Sequence, residues 1–309
     1  MTTQEKAPLH IQIWHFFVHL RLHYQFFILS GGYLLAGLYA YEPNWEQYVA
    51  QFFNIHVLLF GGATAYNSFW DKDEGPIGGL KHPPKMTRWM WFVSLAIQFI
   101  GLVLAYPLGT TYIVLYIISL VLFWLYSTPL ARWKGHPIKS MIAIGLSTGT
   151  NSFLLGYIAA GEDALSLYPI ITAIGVALIF LSLYPVSQVF QIEEDRARGD
   201  HTFATEYGLR GIRRFYIGAF LSGSAMVSYT LSQVYLWPGV AFGIVSVLAF
   251  GFIYRILSNL QGIEEEYPSV MRIKLMASLS FVFFIIGSIV IKNIVVGIEW
   301  IDLLFKHQT

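Results

Sequence analysis

Residues 166–200 read SLYPIITAIGVALIFLSLYPVSQVFQIEEDRARGD. From Ser166 to Phe190 there is no Asp, Glu, Lys or Arg, and then Glu193, Glu194, Asp195, Arg196, Arg198 and Asp200 arrive together. A helix of about 20 mostly apolar residues crosses a bilayer core, so 166–189 predicts a transmembrane helix whose charged end emerges at one membrane face. Gln191 and Asp195 are four residues apart, a spacing that stacks two side chains on one helix face.

The rest of the 309 residues reads the same way, with 56% hydrophobic, 17% aromatic and only 12% charged residues. Soluble domains carry about 25% charged residues, and the mean hydropathy of +0.57 places the chain in the membrane class. Nine spans are expected, at about 20–41, 47–68, 88–108, 110–126, 138–160, 166–189, 212–233, 238–257 and 274–297. Residues 8–20 read as an interfacial helix leading into the first. His15, His19 and His23 recur on it every four residues; with no carboxylate or thiolate partner nearby they fit such a helix better than a haem or transition-metal site. There is no cysteine, which excludes disulfides, thiolate metal sites and cysteine nucleophiles. A net charge of +1 without a basic patch gives no sign of nucleic-acid binding.

Charge orients the bundle. With the N-terminus inside, 17 of the 19 Lys and Arg residues fall on the inner side, leaving only Lys292 and Lys306 outward. Cytoplasmic loops are enriched in Lys and Arg, so the N-terminus and the long polar loops are expected in the cytoplasm, with the chain integral to the plasma (inner) membrane.

The second span ends in Asn67-Ser68-Phe69-Trp70-Asp71-Lys72-Asp73-Glu74-Gly75-Pro76-Ile77-Gly78-Gly79. Asn67 and Asp71 repeat the amide-xxx-Asp spacing of Gln191 and Asp195, and each pair is offset by 124 residues. The offset matches one four-helix unit, so the expected fold is an all-α bundle of four plus four helices, plus one, around a lipophilic chamber, and one domain over 1–309. Oxygen donors clustered on facing helices suit Mg²⁺, which takes few carboxylates plus substrate phosphates. The two amide-xxx-Asp pairs make Asn67, Asp71, Gln191 and Asp195 candidate metal ligands. Loops at about 69–87 and 191–211 would cap the site, the glycines at 75, 78 and 79 giving the first of them mobility.

Together these residues resemble the UbiA superfamily of intramembrane prenyltransferases. The first acidic motif follows helix 2, the second follows helix 6, and Tyr126-Ser127-Thr128-Pro129-Leu130-Ala131-Arg132-Trp133-Lys134 resembles that family's tyrosine, proline and basic stretch. The resemblance implies Mg²⁺-dependent ionisation of a polyprenyl diphosphate and capture of the allylic cation by a hydrophobic acceptor within the bilayer. Two departures stand out. Gly75 occupies the place of a further Asp in the first motif, and Gln191 that of the leading Asp in the second; Glu194, Asp195 and Thr202 match. The resemblance therefore implies Glu74, or alternatively Asp73, and Glu194 as further metal ligands. Catalytic candidates are Asp71, Asp195, Tyr126 and Lys134. Lys72, Lys81, Arg132, Lys134 and Arg196 are candidates for the diphosphate, since Arg forks and Lys point charges suit phosphate.

Polar groups inside spans are functional candidates by default. His56 lies eleven residues before Asn67, about three helical turns, and is expected to line the chamber with Gln188 and Asn151. A UbiA-type terpene cyclase, which ionises the same diphosphate and closes the chain on itself, is the alternative function. A transporter is a third reading; it calls for inverted repeats and charges at the bilayer midplane, whereas both motifs here are expected at one face.

Overall fold

The computed structural model describes residues 7–40, 42–72, 75–162 and 165–306, with side chains as far as Ile294. Among these the chain is 82% helical and contains no β-strand. Helix α1 (Leu9–Leu20) exposes Leu9, Trp14 and Phe17, and buries Phe16 and Leu20 against Ala65 and Met90. It stops at Arg21, which adopts a left-handed φ of 49° and turns the chain into α2, over 22–36.

Helix α3 runs over 45–71, opened by Asn44, whose side chain accepts from the Gln47 amide at 3.1 Å. Its middle, Asn54–Gly61, is π-helical. A π turn adds a residue to the helical circuit, so later residues rotate by about 100° against an uninterrupted α-helix. There follow α4 (Arg88–Leu104), α5 (Thr110–Ser127), α6 (Pro137–Ala159), α7 (Leu167–Arg198), α8 (Phe203–Val234), α9 (Leu236–Leu257) and α10 (Tyr267–Lys306).

By length and composition, six stretches among the described residues can cross a membrane: Arg88–Leu108, Thr110–Ser127, Pro137–Ala159, Leu167–Arg198, Leu236–Leu257 and Glu264–Ile294. The spans expected at 20–41, 47–68 and 212–233 fall on α2, α3 and α8, which are helical but stand outside those six. Phe92, Phe99 and Val103 on α4 and Ile244, Val247 and Leu248 on α9 face outward. So much exposed apolar surface fits a lipid environment rather than water.

Inside the bundle, small residues bring helices together, as is usual where lipid rather than water surrounds the helices. A Cβ on Gly223 of α8 would stand 2.6 Å from the Gly175 carbonyl oxygen of α7, so any side chain there would force the two backbones apart. Tyr39, Thr172 and Thr230 add a closed triangle of hydroxyl contacts at 2.8–3.0 Å. Two packed clusters are centred on Tyr33, Tyr112 and Tyr116, and on Leu35, Phe153 and Phe242. A cavity borders both clusters and opens at the ends of α3 and α7.

Candidate active site

The cavity is about 310 Å³ and has two chemically different ends. Its mouth is lined by Asn67, Asp71, Lys134, Gln191 and Asp195, and its floor by aromatic and aliphatic side chains of α2, α7, α8, α9 and α10. The two amide-xxx-Asp pairs therefore open into one space.

Local chemistry explains how α7 delivers its acid. Pro185 lacks the amide hydrogen of a helix interior, and the helix tightens to 3₁₀ over Pro185–Gln191 before resuming at Ile192–Arg198. Gln188, in the tight segment, accepts from the Ala204 amide at 3.2 Å, which docks the start of α8. Asp195 is buried and accepts from the Thr202 hydroxyl at 3.1 Å, while Thr202 also caps α8 by accepting from the Thr205 amide. Gly199, at φ 73°, provides the left-handed turn that only glycine adopts cheaply. That turn sends Asp200 toward the loop after α5.

This loop ties the two motifs together. Arg132 donates twice to Asp200, from Nε at 2.9 Å and Nη2 at 2.7 Å, a fork matched to a carboxylate. The His201 amide donates to the Gly135 carbonyl at 3.0 Å. Between these anchors Lys134 reaches across to Asp71, with Nζ 2.5 Å from Oδ1. Burial pushes the Asp200 carboxyl up, but the Arg132 fork, with Lys134 and Arg198 nearby, outweighs it and holds the group below the ordinary carboxylate value. Tyr126 hydrogen-bonds Tyr184 at 3.1 Å on the cavity wall, and the Asn67 amide donates to the Ser127 hydroxyl at 3.1 Å.

The segment after α3, expected to be mobile because of its glycines, is strapped down. Gln191 donates to the Pro76 carbonyl at 3.4 Å, Tyr267 to Ile77 at 3.3 Å and Arg21 to Gly78 at 3.2 Å, while the His23 ring pairs with the Gly79 carbonyl at 2.9 Å. Four successive carbonyls are thus held by four side chains from three separate parts of the sequence. His19 holds the Pro84 carbonyl at 2.7 Å in the same way. The His15–His19–His23 ladder thereby supplies two loop anchors. Glycine here serves close approach: Gly79 lies under the Tyr24 and His23 rings at φ 88°, where a Cβ would meet both within 3.1 Å.

Other expected residues stand elsewhere. His56 is fully buried outside the cavity lining, its Nδ1 2.8 Å from the Phe52 carbonyl and its ring among Phe26, Tyr33, Phe52 and Phe60. The π turn at 54–61 accounts for this, because it breaks the helical phase that aligned His56 with Asn67. Asn151 also lies outside the lining, donating to the Leu115 carbonyl and Ser119 hydroxyl at 3.1 and 2.9 Å. Lys72 and Lys81 are exposed and outside it, Arg196 lines a separate shallow surface pocket, and Arg132 is committed to Asp200. Glu194 pairs with Arg198 and approaches Gly75, while Asp73 and Glu74 lie outside the described residues. Sequence reasoning passed over Arg21, Tyr184, Arg198, Asp200 and Lys274, all of which line the cavity. Asp200 had a signal, since it ends the second motif just after Gly199.

Among the described residues no three His, Asp or Glu side chains gather as a metal site. The two amide-xxx-Asp pairs bring two carboxylates and two amides to the mouth, all offering oxygen. That set fits a hard cation that completes its shell with phosphate oxygens.

Comparison with known proteins adds the decisive observation: the family model described as the UbiA prenyltransferase family matches residues 26–277. The chain belongs to the UbiA prenyltransferase family. It is 27% identical over 244 residues to a digeranylgeranylglyceryl phosphate synthase of Methanothrix thermoacetophila, covering 76% of this chain and 84% of that protein. It is also 27% identical over 179 residues to the chloroplastic 2-acylphloroglucinol 4-prenyltransferase of Humulus lupulus, covering 53% of this chain and 42% of that one. The fold matches a UbiA homologue from Archaeoglobus fulgidus solved with GPP and Mg²⁺, with a TM-score of 0.69, 13% identity, and coverage of 89% of this chain and 99% of that one. With its six long apolar helices, this member of the family is an integral membrane protein built of helices.

Proposed function

We propose that this protein is a Mg²⁺-dependent intramembrane prenyltransferase that moves a prenyl group from a polyprenyl diphosphate to a lipophilic acceptor. The observation that carries the reading is the single cavity with oxygen donors of both motifs at its mouth and an apolar floor. Such a space suits a molecule with an anionic head and a hydrocarbon tail. In this reading nine helices cross the membrane as four plus four plus one, within one domain over 1–309. The mouth faces the cytoplasm and the membrane is the plasma membrane; the crowding of Lys and Arg on one side of the bundle supports that orientation.

Asn67, Asp71, Gln191 and Asp195 would hold the metal, with Glu74 and Glu194 as the further candidate ligands. Bound there, Mg²⁺ supplies charge neutralisation of the leaving diphosphate. Lys134, beside Asp71, and Arg198, at the cavity wall, present cations to the diphosphate oxygens. The C1–O bond of the donor breaks with both electrons leaving on the diphosphate. The acceptor's nucleophilic atom then bonds to the allylic carbon and loses its proton. Tyr126 and Tyr184 border the reacting carbon, and their ring faces stabilise positive charge. The strapped loop over the mouth keeps water from competing with the acceptor.

The test is Mg²⁺-dependent diphosphate release and product mass from the purified chain in detergent, given a prenyl diphosphate and a panel of lipophilic phenols, quinone precursors and lipid phosphates. Asp71→Asn and Asp195→Asn should each reduce release by about 10²-fold or more, the scale of removing one preorganised electrostatic group. Full turnover in either variant removes that residue from the metal site. A product lacking the acceptor's mass points to cyclisation instead.

A further inference from the structure

The cavity stops part-way across the bundle, and its depth can be measured along the helices that wall it. On α3 the lining runs from Asp71 at the mouth to Phe60, and on α10 from Lys274 to Phe284. Eleven and ten residues at about 1.5 Å each give a depth of about 15–17 Å. The floor is aromatic. Phe242 is 2% exposed and packs against Phe281 and Phe284 with ring centroids 5.5 and 5.9 Å apart. Phe281 fills the space a side chain at Gly31 would need, since a Cβ there would stand 2.4 Å from the Phe281 ring. Beyond the floor, Leu35, Phe153 and Ile285 are fully buried in continuous packing.

An isoprene unit adds four chain carbons, and scaling from the extended peptide repeat of about 3.3–3.6 Å for three bonds gives about 4.5–5 Å per unit. About three units therefore span the cavity. Resting on the donor reading above, we propose that the Phe242–Phe281–Phe284 floor limits the prenyl diphosphate to three isoprene units, and that a fourth is refused. A close-packed interior does not yield to extra methylenes without displaced rotamers and backbone. Ser246 lies four residues from Phe242 on α9, on the same face and nearer the mouth, and also lines the cavity. One helical turn is about 5.4 Å, so a large side chain at 246 raises the floor by about one isoprene unit.

The experiment measures binding of non-ionising thiolo analogues of C5, C10, C15 and C20 prenyl diphosphates to the full chain in detergent with Mg²⁺, by calorimetry. Affinity should rise from C5 to C15 and fall at least tenfold at C20. Ser246→Leu should weaken C15 at least tenfold relative to C10. Phe242→Ala, or Phe284→Ala should the first variant not fold, should bring C20 to within threefold of C15. Equal affinity for C20 and C15 in the unaltered protein overturns the length limit, as does a Ser246→Leu effect that is the same at every length. Absence of binding at all four lengths overturns the donor reading itself.

Discussion

Asp200→Asn probes the clamp that sets Lys134 against Asp71. Arg132 grips Asp200 through two hydrogen bonds, at 2.9 and 2.7 Å. Hydrogen bonds to charged groups contribute about 1.5–3 kcal/mol each when desolvated, whereas exposed pairs contribute about 0.2–1 kcal/mol. The Arg132 side chain is 34% exposed and that of Asp200 9%, which places the pair between these limits, at about 1–2 kcal/mol in total. The amide keeps one acceptor but loses the charge and the second one. With the clamp weakened, the loop carrying Lys134 loses its register, and about 1.4 kcal/mol corresponds to a tenfold loss in rate. The assay is a double-mutant cycle on Mg²⁺-dependent diphosphate release using Asp200→Asn, Arg132→Gln and both together. Each single variant should fall about tenfold, and the double variant little further, giving a coupling of about 1 kcal/mol. Because the folded Asp200 carboxyl lies below its ordinary 3.8, the coupling is complete above about pH 4 and is lost only as pH falls through the lower folded value. Strictly additive losses, or a coupling that fades between pH 6 and 5, would refute the reasoning.

Two further outcomes follow from the site and its surroundings. Gln191→Asp restores an acid but removes the donor to the Pro76 carbonyl, so limited proteolysis within 75–85 should accelerate severalfold, in keeping with about 1 kcal/mol for a lost hydrogen bond; unchanged protection would show that the strap does not depend on the amide. His56→Ala should destabilise the protein by about 3 kcal/mol or more through the cavity left among four aromatic rings, while diphosphate release per folded molecule stays within twofold. A selective loss of release with normal thermal stability would return His56 to the chamber.

The sequence by itself determined the membrane class, the position of six long apolar helices and the two matched acidic ends, because hydropathy over about 20 residues and an i,i+4 spacing are local properties. It could also name Asp71, Asp195, Gln188, Tyr126 and Lys134, which all line the cavity. It could not decide rotation. The π turn at Asn54–Gly61 shifts the phase of α3 and carries His56 into an aromatic cluster, and no residue count reveals where a helix widens. Nor could it pair charges across loops: Arg132 spends its fork on Asp200, 68 residues away, and Lys134 is the one that meets Asp71. The depth of the cavity was equally hidden, since Phe242, Phe281 and Gly31 come from three helices and meet only when the bundle closes. Local pattern fixes which face of a helix is apolar, but only packing of one helix on another fixes which residues that face touches.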